Sequence, residues 1–303
     1  MNLNRRMFLK VAGTAGVLAL GPARTARAAS DDSALVNSSR AVLIDTTKCV
    51  GCRTCEAACA EANRLPEPDP SDAVLDRRRA PSETQFTVID RRRTSVGDVF
   101  VKRQCLHCLE PACVAACLTR AMFKTPEGPV VWRAHKCMGC RFCMVSCPMD
   151  VPKFEYGSAV PEIRKCQLCH GRLLAGGRPA CVENCPAEAL QFGTRAQMLA
   201  AARSRIVTEP RRYVPHVFGE HEAGGMGVLY LSAVPFIELG FRPDLGTVPF
   251  PELTKQFLYA VPVVLTVLPA LLLGISNATR RTDESAAQGA LDEHSRTDAR
   301  EVA

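Results

Sequence analysis

Residues 137–148 read CMGCRFCMVSCP, in which four cysteines follow the spacing C-x2-C-x2-C-x3-C and precede a proline. Three closely spaced thiolates can bind one iron–sulfur cubane, while the fourth, three residues on, points to a different cluster. The chain has 303 residues, and its sixteen cysteines all fall into four motifs, two with this spacing and two, C-x2-C-x4-C-x3-C and C-x2-C-x11-C-x3-C, with a longer middle gap. These are motif 1 (Cys49, Cys52, Cys55, Cys59), motif 2 (Cys105, Cys108, Cys113, Cys117), motif 3 (Cys137, Cys140, Cys143, Cys147) and motif 4 (Cys166, Cys169, Cys181, Cys185).

Two other cysteine chemistries compete with iron–sulfur ligation. Disulfides staple small secreted domains, but 303 residues with 47% hydrophobic composition can build a core without them. Structural zinc suits paired C-x2-C motifs, yet the third cysteine of each triplet and the distant fourth do not fit a tetrahedral site. The pattern therefore favours cubanes, and sixteen thiolates suffice for four [4Fe-4S] clusters.

The ligand sets depend on how the motifs pair. Sequential pairing joins motif 1 with motif 2 and motif 3 with motif 4, whereas nested pairing joins 1 with 4 and 2 with 3. Only 19 residues separate Cys117 from Cys137, as in a two-cluster ferredoxin inserted within another, which favours nesting. Nesting predicts quartet 1 (Cys49, Cys52, Cys55, Cys185), quartet 2 (Cys166, Cys169, Cys181, Cys59), quartet 3 (Cys105, Cys108, Cys113, Cys147) and quartet 4 (Cys137, Cys140, Cys143, Cys117).

The amino terminus has the pattern of an export signal. Arg5 and Arg6 open the sequence NRRMFLK, a mildly apolar stretch follows, and an Ala-Arg-Ala site ends at Ala28. This pattern predicts a twin-arginine signal peptide over residues 1–28. The formal net charge of +7 includes five basic residues of this segment, which leaves the mature chain at +2. A nearly balanced charge does not support nucleic-acid binding.

The carboxy-terminal region contains an uncharged apolar run. Residues 257–276 read FLYAVPVVLTVLPALLLGIS, long enough as a helix to cross one hydrocarbon core, and Arg280 and Arg281 follow as a positive cytoplasmic flank. A buried core helix is the alternative. We expect the polar tail, residues 277–303, to be disordered on the cytoplasmic side, with the cluster domain in the periplasm.

Two further segments lie between and after the cysteine motifs. Residues 60–104 form an insertion whose alternating pattern predicts a hairpin, and its arginines at 77–79 and 91–93 suggest either a docking patch or, preferably, a solvated face. A carboxy-terminal extension over 196–256 contains a predicted helix, 196–205, and a predicted strand, 228–231. His107, His135 and His170 lie beside cysteines, and we expect them to support the clusters or lie at the surface rather than ligate iron.

These features predict an α+β fold. Residues 29–195 form two pseudo-twofold bacterial-ferredoxin-type modules in a nested arrangement, with the inner module at about 105–147, and one carboxy-terminal transmembrane helix follows.

The chain resembles the HybA-type ferredoxin-like electron-transfer subunits of hydrogenase-2. The matching segments are LHCLEPACV (106–114), CMGCRFCMVSCPMDVPKFEY (137–156), KCQLCHGR (165–172) and CVENCPAEALQFGTR (181–195). It is more distantly similar to the iron–sulfur subunits of formate dehydrogenases, in which the motifs pair in the nested manner. Leu118 and Ala60 depart from the proline that usually follows the fourth cysteine, and the two turns are less rigid as a result.

The resemblance implies a subunit that is not catalytic by itself. It would pass electrons between the subunits of a nickel–iron hydrogenase and a multispanning, quinone-reactive membrane subunit. Two alternatives stay open: a subunit of another quinone-linked oxidoreductase, of the formate dehydrogenase or tetrathionate/polysulfide reductase type, and a membrane scaffold with structural clusters.

Overall fold

The computed structural model describes residues 36–301, so the predicted signal peptide lies outside the described residues. The described chain divides into two units, residues 36–247 and residues 248–301, and each is taken by itself. The strands are β1 (Arg40–Asp45), β2 (Val88–Thr94), β3 (Gly97–Arg103), β4 (Met122–Lys124), β5 (Val130–Trp132), β6 (Lys153–Phe154), β7 (Ile163–Arg164), β8 (Leu190–Thr194) and β9 (Val228–Leu231). The helices are α1 (Thr54–Asn63), α2 (Ala112–Ala115), α3 (Phe142–Val145), α4 (His170–Leu174), α5 (Ala180–Glu183), α6 (Arg195–Thr208) and α7 (Phe250–Glu301).

A three-stranded sheet with the order β8-β1-β9 forms the core of the first unit. The central strand β1 is antiparallel to β8 and parallel to β9, so its two neighbours come from distant parts of the chain. Its sequence RAVLID is buried after the first residue, as a central strand covered on both faces requires. The predicted strand 228–231 is confirmed as β9.

Helix α6 packs on this sheet and confirms the predicted helix over 196–205. A capping box starts it, in which the Thr194 hydroxyl accepts from the Gln197 amide and the Gln197 side chain accepts from the Thr194 amide. Met198 and Leu199 pack against Leu43 and Leu229. This core gives the unit a hydrophobic foundation that does not depend on cysteine ligation.

The predicted hairpin in the insertion is present. Strands β2 and β3 pair antiparallel from Val88 opposite Arg103 to Thr94 opposite Gly97, so residues 95 and 96 form the turn. Tyr230 of β9 donates its hydroxyl to the Lys102 carbonyl at 2.8 Å. The hairpin is therefore attached to the core sheet.

Of the arginines in the insertion, Arg77, Arg78 and Arg93 are exposed, but Arg79 is an internal partner of a buried carboxylate and departs from a solvated face. Glu56 on α1 is 2% exposed. Arg79 binds its Oε1 at 2.5 Å and Oε2 at 2.9 Å, Arg53 binds Oε2 at 3.2 Å, and the Ile89 amide donates to Oε1 at 2.6 Å. A buried carboxylate is favourable only when it is paired in this way. Arg79 thus fastens the insertion to a cysteine-bearing helix.

Glu56→Ala is expected to destabilise the first unit by about 3–5 kcal/mol, because it leaves two buried guanidinium groups without a counter-charge. For a domain of this size, we expect the temperature at which visible cluster absorbance disappears to fall by roughly 10 °C. The matched control is Glu61→Ala, an exposed glutamate on the same helix. Equal melting temperatures for the two variants would contradict the structural role of Glu56.

Two short hairpins, β4–β5 and β6–β7, lie beside motifs 2 and 3. Met122, Val130 and Ile163 form a small buried cluster with Cys113 and Cys143. The cysteines of the inner motifs are thus held by an apolar core of their own.

The second unit is the helix α7, and its region Phe250–Arg281 is the one helix among the described residues that is long and apolar enough to cross a membrane. Its most apolar window has a mean hydropathy of 2.3 and is 0% buried, unlike a soluble core helix. Pro262 and Pro269 lie inside the helix, as membrane spans tolerate.

The expected disorder of the tail is not seen, because α7 continues through the polar residues to Glu301. Helix-favouring residues fill this segment, and Arg280 pairs with Glu284 one turn later at 2.8 Å. Local propensity thus outweighs polarity in this segment.

Candidate metal-cluster site

In each motif the last two cysteines are four residues apart, at or just after a short helix. The pairs are Cys55 and Cys59 on α1, Cys113 and Cys117 at α2, Cys143 and Cys147 at α3, and Cys181 and Cys185 at α5. Residues at i and i+4 lie on one helix face, one turn apart, so each helix can offer one thiol to each of two neighbouring sites. Helices α1 and α5 are in contact, as are α2 and α3.

Two cavities lie beside α1 and α5. The cysteines that line them are Cys49, Cys52, Cys55 and Cys185 in the first and Cys59, Cys166, Cys169 and Cys181 in the second. These sets are quartets 1 and 2. The second cysteine of each helix therefore faces a different cavity from the first.

The other two quartets also assemble. A third cavity is lined by the quartet 4 residues Cys117, Cys137, Cys140 and Cys143. The quartet 3 thiols are close enough for their charges to interact, as Cys108 and Cys113 each do with Cys105 and Cys147. Quartets 1, 2 and 4 thus each line one cavity, and the quartet 3 thiols are neighbours of one another.

The four motifs share one backbone feature. The second residue after the first cysteine has a positive φ in each: 74° at Gly51, 48° at His107, 72° at Gly139 and 55° at Leu168. For His107 and Leu168 this conformation is unfavourable unless the surroundings impose it. Left-handed residues in such turns direct successive amide N–H groups into a concave nest that binds anions, including iron–sulfur clusters.

Several of the thiols lie in sites where burial raises their pKa. Burial raises the pKa of Cys108 and Cys166 to about 12, with neighbouring thiols adding to the effect. The pKa of Cys143 rises to about 11 through burial and through the charges of Cys117, Cys137 and Cys140. Since iron binds thiolates, cluster assembly must release protons from these sites.

His107 offers a further sign that the site is built for a cluster. It is buried, its Nδ1 accepts a hydrogen bond from the Val130 amide at 2.9 Å, and burial lowers its pKa well below the usual range. The neutral ring must then carry its proton on Nε2, which has no partner among residues 36–301. Such a donor can hydrogen-bond a cluster sulfur. His135 is exposed, and His170 lies 3.6 Å from Glu127, so both agree with supporting or surface roles.

The competing cysteine chemistries fit the structure less well. All sixteen cysteines are free thiols. Within the described part of the chain, His, Cys, Asp and Glu side chains form no group of three that could hold a single metal ion. Cavities that separate four sulfurs suit a cubane instead.

Comparison with known proteins agrees with this geometry. The model of the 4Fe-4S dicluster domain matches residues 96–195. The Hydrogenase-2 operon protein HybA of Escherichia coli O157:H7 is 32% identical, over 96% of this chain and 99% of its own length. The chain belongs to the HybA-type family of iron–sulfur electron-transfer subunits.

Two further proteins are similar to this chain. A protein of Nitratidesulfovibrio vulgaris (strain Hildenborough) is 45% identical over 94% of this chain and 80% of its own length. The formate dehydrogenase-O iron–sulfur subunit of Escherichia coli K12 is 32% identical over 80% of this chain and 85% of its own. The family resemblance proposed from the motifs is confirmed.

Three residues of this family member were not singled out from the sequence. Glu56, Lys102 and Lys165 are each 2% exposed or less. Lys165 immediately precedes Cys166, and Glu56 immediately follows Cys55, so adjacency to a ligand was the available signal. Lys102 carries no such signal, because only the hairpin pairing brings it to the cysteines.

Proposed function

We propose that this chain holds four [4Fe-4S] clusters, one in each quartet, within two pseudo-twofold ferredoxin modules. The observation that carries this proposal is that three cavities are each lined by four cysteines of a single quartet. When bound, such clusters accept and donate one electron each. The residues of this chain would hold them in fixed positions, supply hydrogen bonds to sulfur and exclude water.

We propose that the quartets act in the order 1, 2, 3, 4. Quartets 1 and 2 share helices α1 and α5, and quartets 3 and 4 share α2 and α3. The Lys165 Nζ links the middle pair, since it lies 3.9 Å from Cys105 Sγ and donates to the Cys166 carbonyl at 2.9 Å. The two ends of this row contain the exposed cysteines Cys52 and Cys140. These ends are where redox partners would dock.

The surface around quartet 4 supports docking at that end. Leu118, Met138 and Val145 are 86%, 64% and 81% exposed, and Phe142 on α3 is also exposed. Exposed apolar side chains that cluster in this way are typical of protein interfaces. A large partner subunit can cover them and approach the cluster at the same time.

By family, the proposed partners are the catalytic subunits of a nickel–iron hydrogenase and a multispanning membrane subunit that reacts with quinone. The HybA relative supports this choice because it matches along almost its whole length. A formate-, tetrathionate- or polysulfide-linked oxidoreductase is the alternative, and the formate dehydrogenase-O subunit supports it. In either complex the chain alone would catalyse no reaction.

We propose that α7 anchors the chain in the inner membrane. Its apolar region and its unburied surface support a span, and Arg280 and Arg281 beyond it support a cytoplasmic carboxy terminus. The twin arginines near the amino terminus support export of the cluster domain to the periplasm.

The test is anaerobic purification of the complex in mild detergent. We expect about sixteen iron atoms and as many acid-labile sulfides for each chain, four of each per cubane. Mass spectrometry and metal analysis of the co-purified large subunit would distinguish nickel from molybdopterin. A zinc-dominated preparation without broad visible absorption would contradict the proposal. Clusters that cannot be reduced would support the scaffold alternative instead.

A further inference from the structure

Two lysines lie almost completely inside the first unit. Lys102 is 1% exposed and Lys165 is 2% exposed. Among the described residues, the hydrogen-bond partners of their ammonium groups are neutral: Lys102 donates to the Gln104 amide oxygen, and Lys165 to the carbonyls of Val130 and Cys166. A buried ammonium is strongly unfavourable unless a negative charge lies close to it. The thiol sites are the place where that charge can arise.

Lys102 lies between quartets 1 and 2. It lines the cavity that contains Cys55 and also the cavity that contains Cys59, although these cysteines are a helical turn apart. The residue is on β3, in the insertion between motifs 1 and 2, and Tyr230 binds its backbone carbonyl at 2.8 Å. The insertion therefore places the positive charge of Lys102 between the sites of quartets 1 and 2.

Lys165 has the same position in the next gap. Its Nζ lies 3.9 Å from Cys105 Sγ, which belongs to quartet 3, and 2.9 Å from the carbonyl of Cys166, which belongs to quartet 2. The lining of the quartet 4 cavity differs, because Met122, Trp132 and Ile163 surround it and its one cation, Arg141, is exposed. The two buried lysines thus lie between quartets 1 and 2 and between quartets 2 and 3, whereas the cation at quartet 4 is exposed.

A cubane with four thiolates carries a net negative charge, which grows by one when it takes up an electron. A fixed cation nearby stabilises the reduced form more than the oxidised form, because Coulomb attraction scales with charge. Burial makes this attraction stronger than it would be at the surface. Opposite charge also keeps the ammonium protonated.

On the basis of the proposed function, we propose that Lys102 and Lys165 are fixed charges that raise the reduction potentials of the clusters on either side of them. From these two lysines, cluster 2, which borders both, receives the largest increase, clusters 1 and 3 receive one each, and cluster 4 receives none. The half-buried Lys124, which donates to the Cys108 carbonyl at 2.9 Å, adds a separate charge beside quartet 3 that both variants leave in place. In each step one electron passes from a reduced cluster to its oxidised neighbour. No bond forms or breaks, and the lysine keeps its proton. Electrons come from the catalytic oxidoreductase subunit and leave to quinone.

The test is an anaerobic redox titration of the detergent-solubilised full complex, followed by electron paramagnetic resonance. Lys102→Met removes the charge and keeps a chain of similar length. At a fixed potential, we expect the oxidised-to-reduced ratio of clusters 1 and 2 to rise at least tenfold, about 59 mV for one electron. Cluster 4 should not change. Lys165→Met should shift clusters 2 and 3 in the same direction.

The matched control is Lys153→Met, which removes a lysine whose charge is already paired with the exposed Asp150 at 2.7 Å. Its four potentials should equal those of the unaltered complex. Unshifted potentials in iron-loaded Lys102→Met would overturn the inference. If that variant assembled without all of its iron, Lys165→Met would decide, since unchanged potentials of clusters 2 and 3 would overturn it equally. Fewer than four cubanes in the unaltered complex would instead refute the proposed function.

Discussion

Cys185→Ala is expected to remove the cluster of quartet 1 and to leave the other three in place. The other cysteines that line the cavity of Cys185 are the three at the start of motif 1, more than a hundred residues earlier in the chain. Without the fourth thiolate the cubane loses a ligand that no nearby cysteine can replace, because the others bind their own quartets. Iron content should fall from about sixteen to about twelve atoms for each chain.

The companion variant is Cys117→Ala. Nested ligation assigns Cys117 to quartet 4, whereas sequential ligation assigns it to the cluster of motif 1. Electron paramagnetic resonance of both variants should therefore show two different missing signals. Glu183 is exposed on α5, so Glu183→Ala is the control, and this variant should keep all four clusters. Loss of the motif 1 cluster in Cys117→Ala, with the motif 3 cluster intact, would show that nested ligation is wrong.

Truncation after Thr247 is expected to release the cluster-bearing unit from the membrane. The cut lies at the boundary between the two units and removes all of α7, including residues 250–256, which precede the predicted span. Each Leu, Ile, Val or Phe near the centre of a span favours insertion by about 0.3–0.6 kcal/mol, so the loss of this helix removes the main membrane affinity. We expect a soluble periplasmic protein with full iron content and without efficient electron transfer to quinone.

The paired variant changes the export signal instead of the anchor. Replacing both Arg5 and Arg6 with lysine keeps the charge but changes the motif that the transport receptor reads. Folded, cluster-loaded protein should then stay in the cytoplasm. Cell fractionation with protease protection distinguishes the two outcomes. A truncated protein that stayed in the membrane without its partners would show that α7 is not the anchor.

The sequence alone was sufficient for the chemistry and for local structure. Apart from the twelve residues from Cys169 to Cys181, successive ligands within a motif are three to five residues apart, so the four motifs indicated iron–sulfur ligation without tertiary information. The strand 228–231, the helix after residue 195 and the hairpin of the insertion were predicted because alternation and helical periodicity are local properties. The long apolar run near residue 260 was likewise visible.

The polar tail shows where local inference was less successful. Low hydrophobicity suggested disorder, but α7 extends to Glu301. A polar composition indicates that a segment cannot form a hydrophobic core. A helix needs no core once an adjoining helix has nucleated it, because backbone hydrogen bonds and helix-favouring residues are then sufficient. Extension of an existing helix avoids the cost of nucleation.

Tertiary structure alone decided which distant residues meet. Folding brings Arg79 to the buried Glu56 and Lys102 to the gap between two quartets. Sequence spacing carries no information about these encounters, because each depends on strands and helices that are far apart in the chain and pack into one core. Burial then changes the chemistry, since a lysine that looks ordinary in the sequence acquires a strong electrostatic effect only when water is excluded around it.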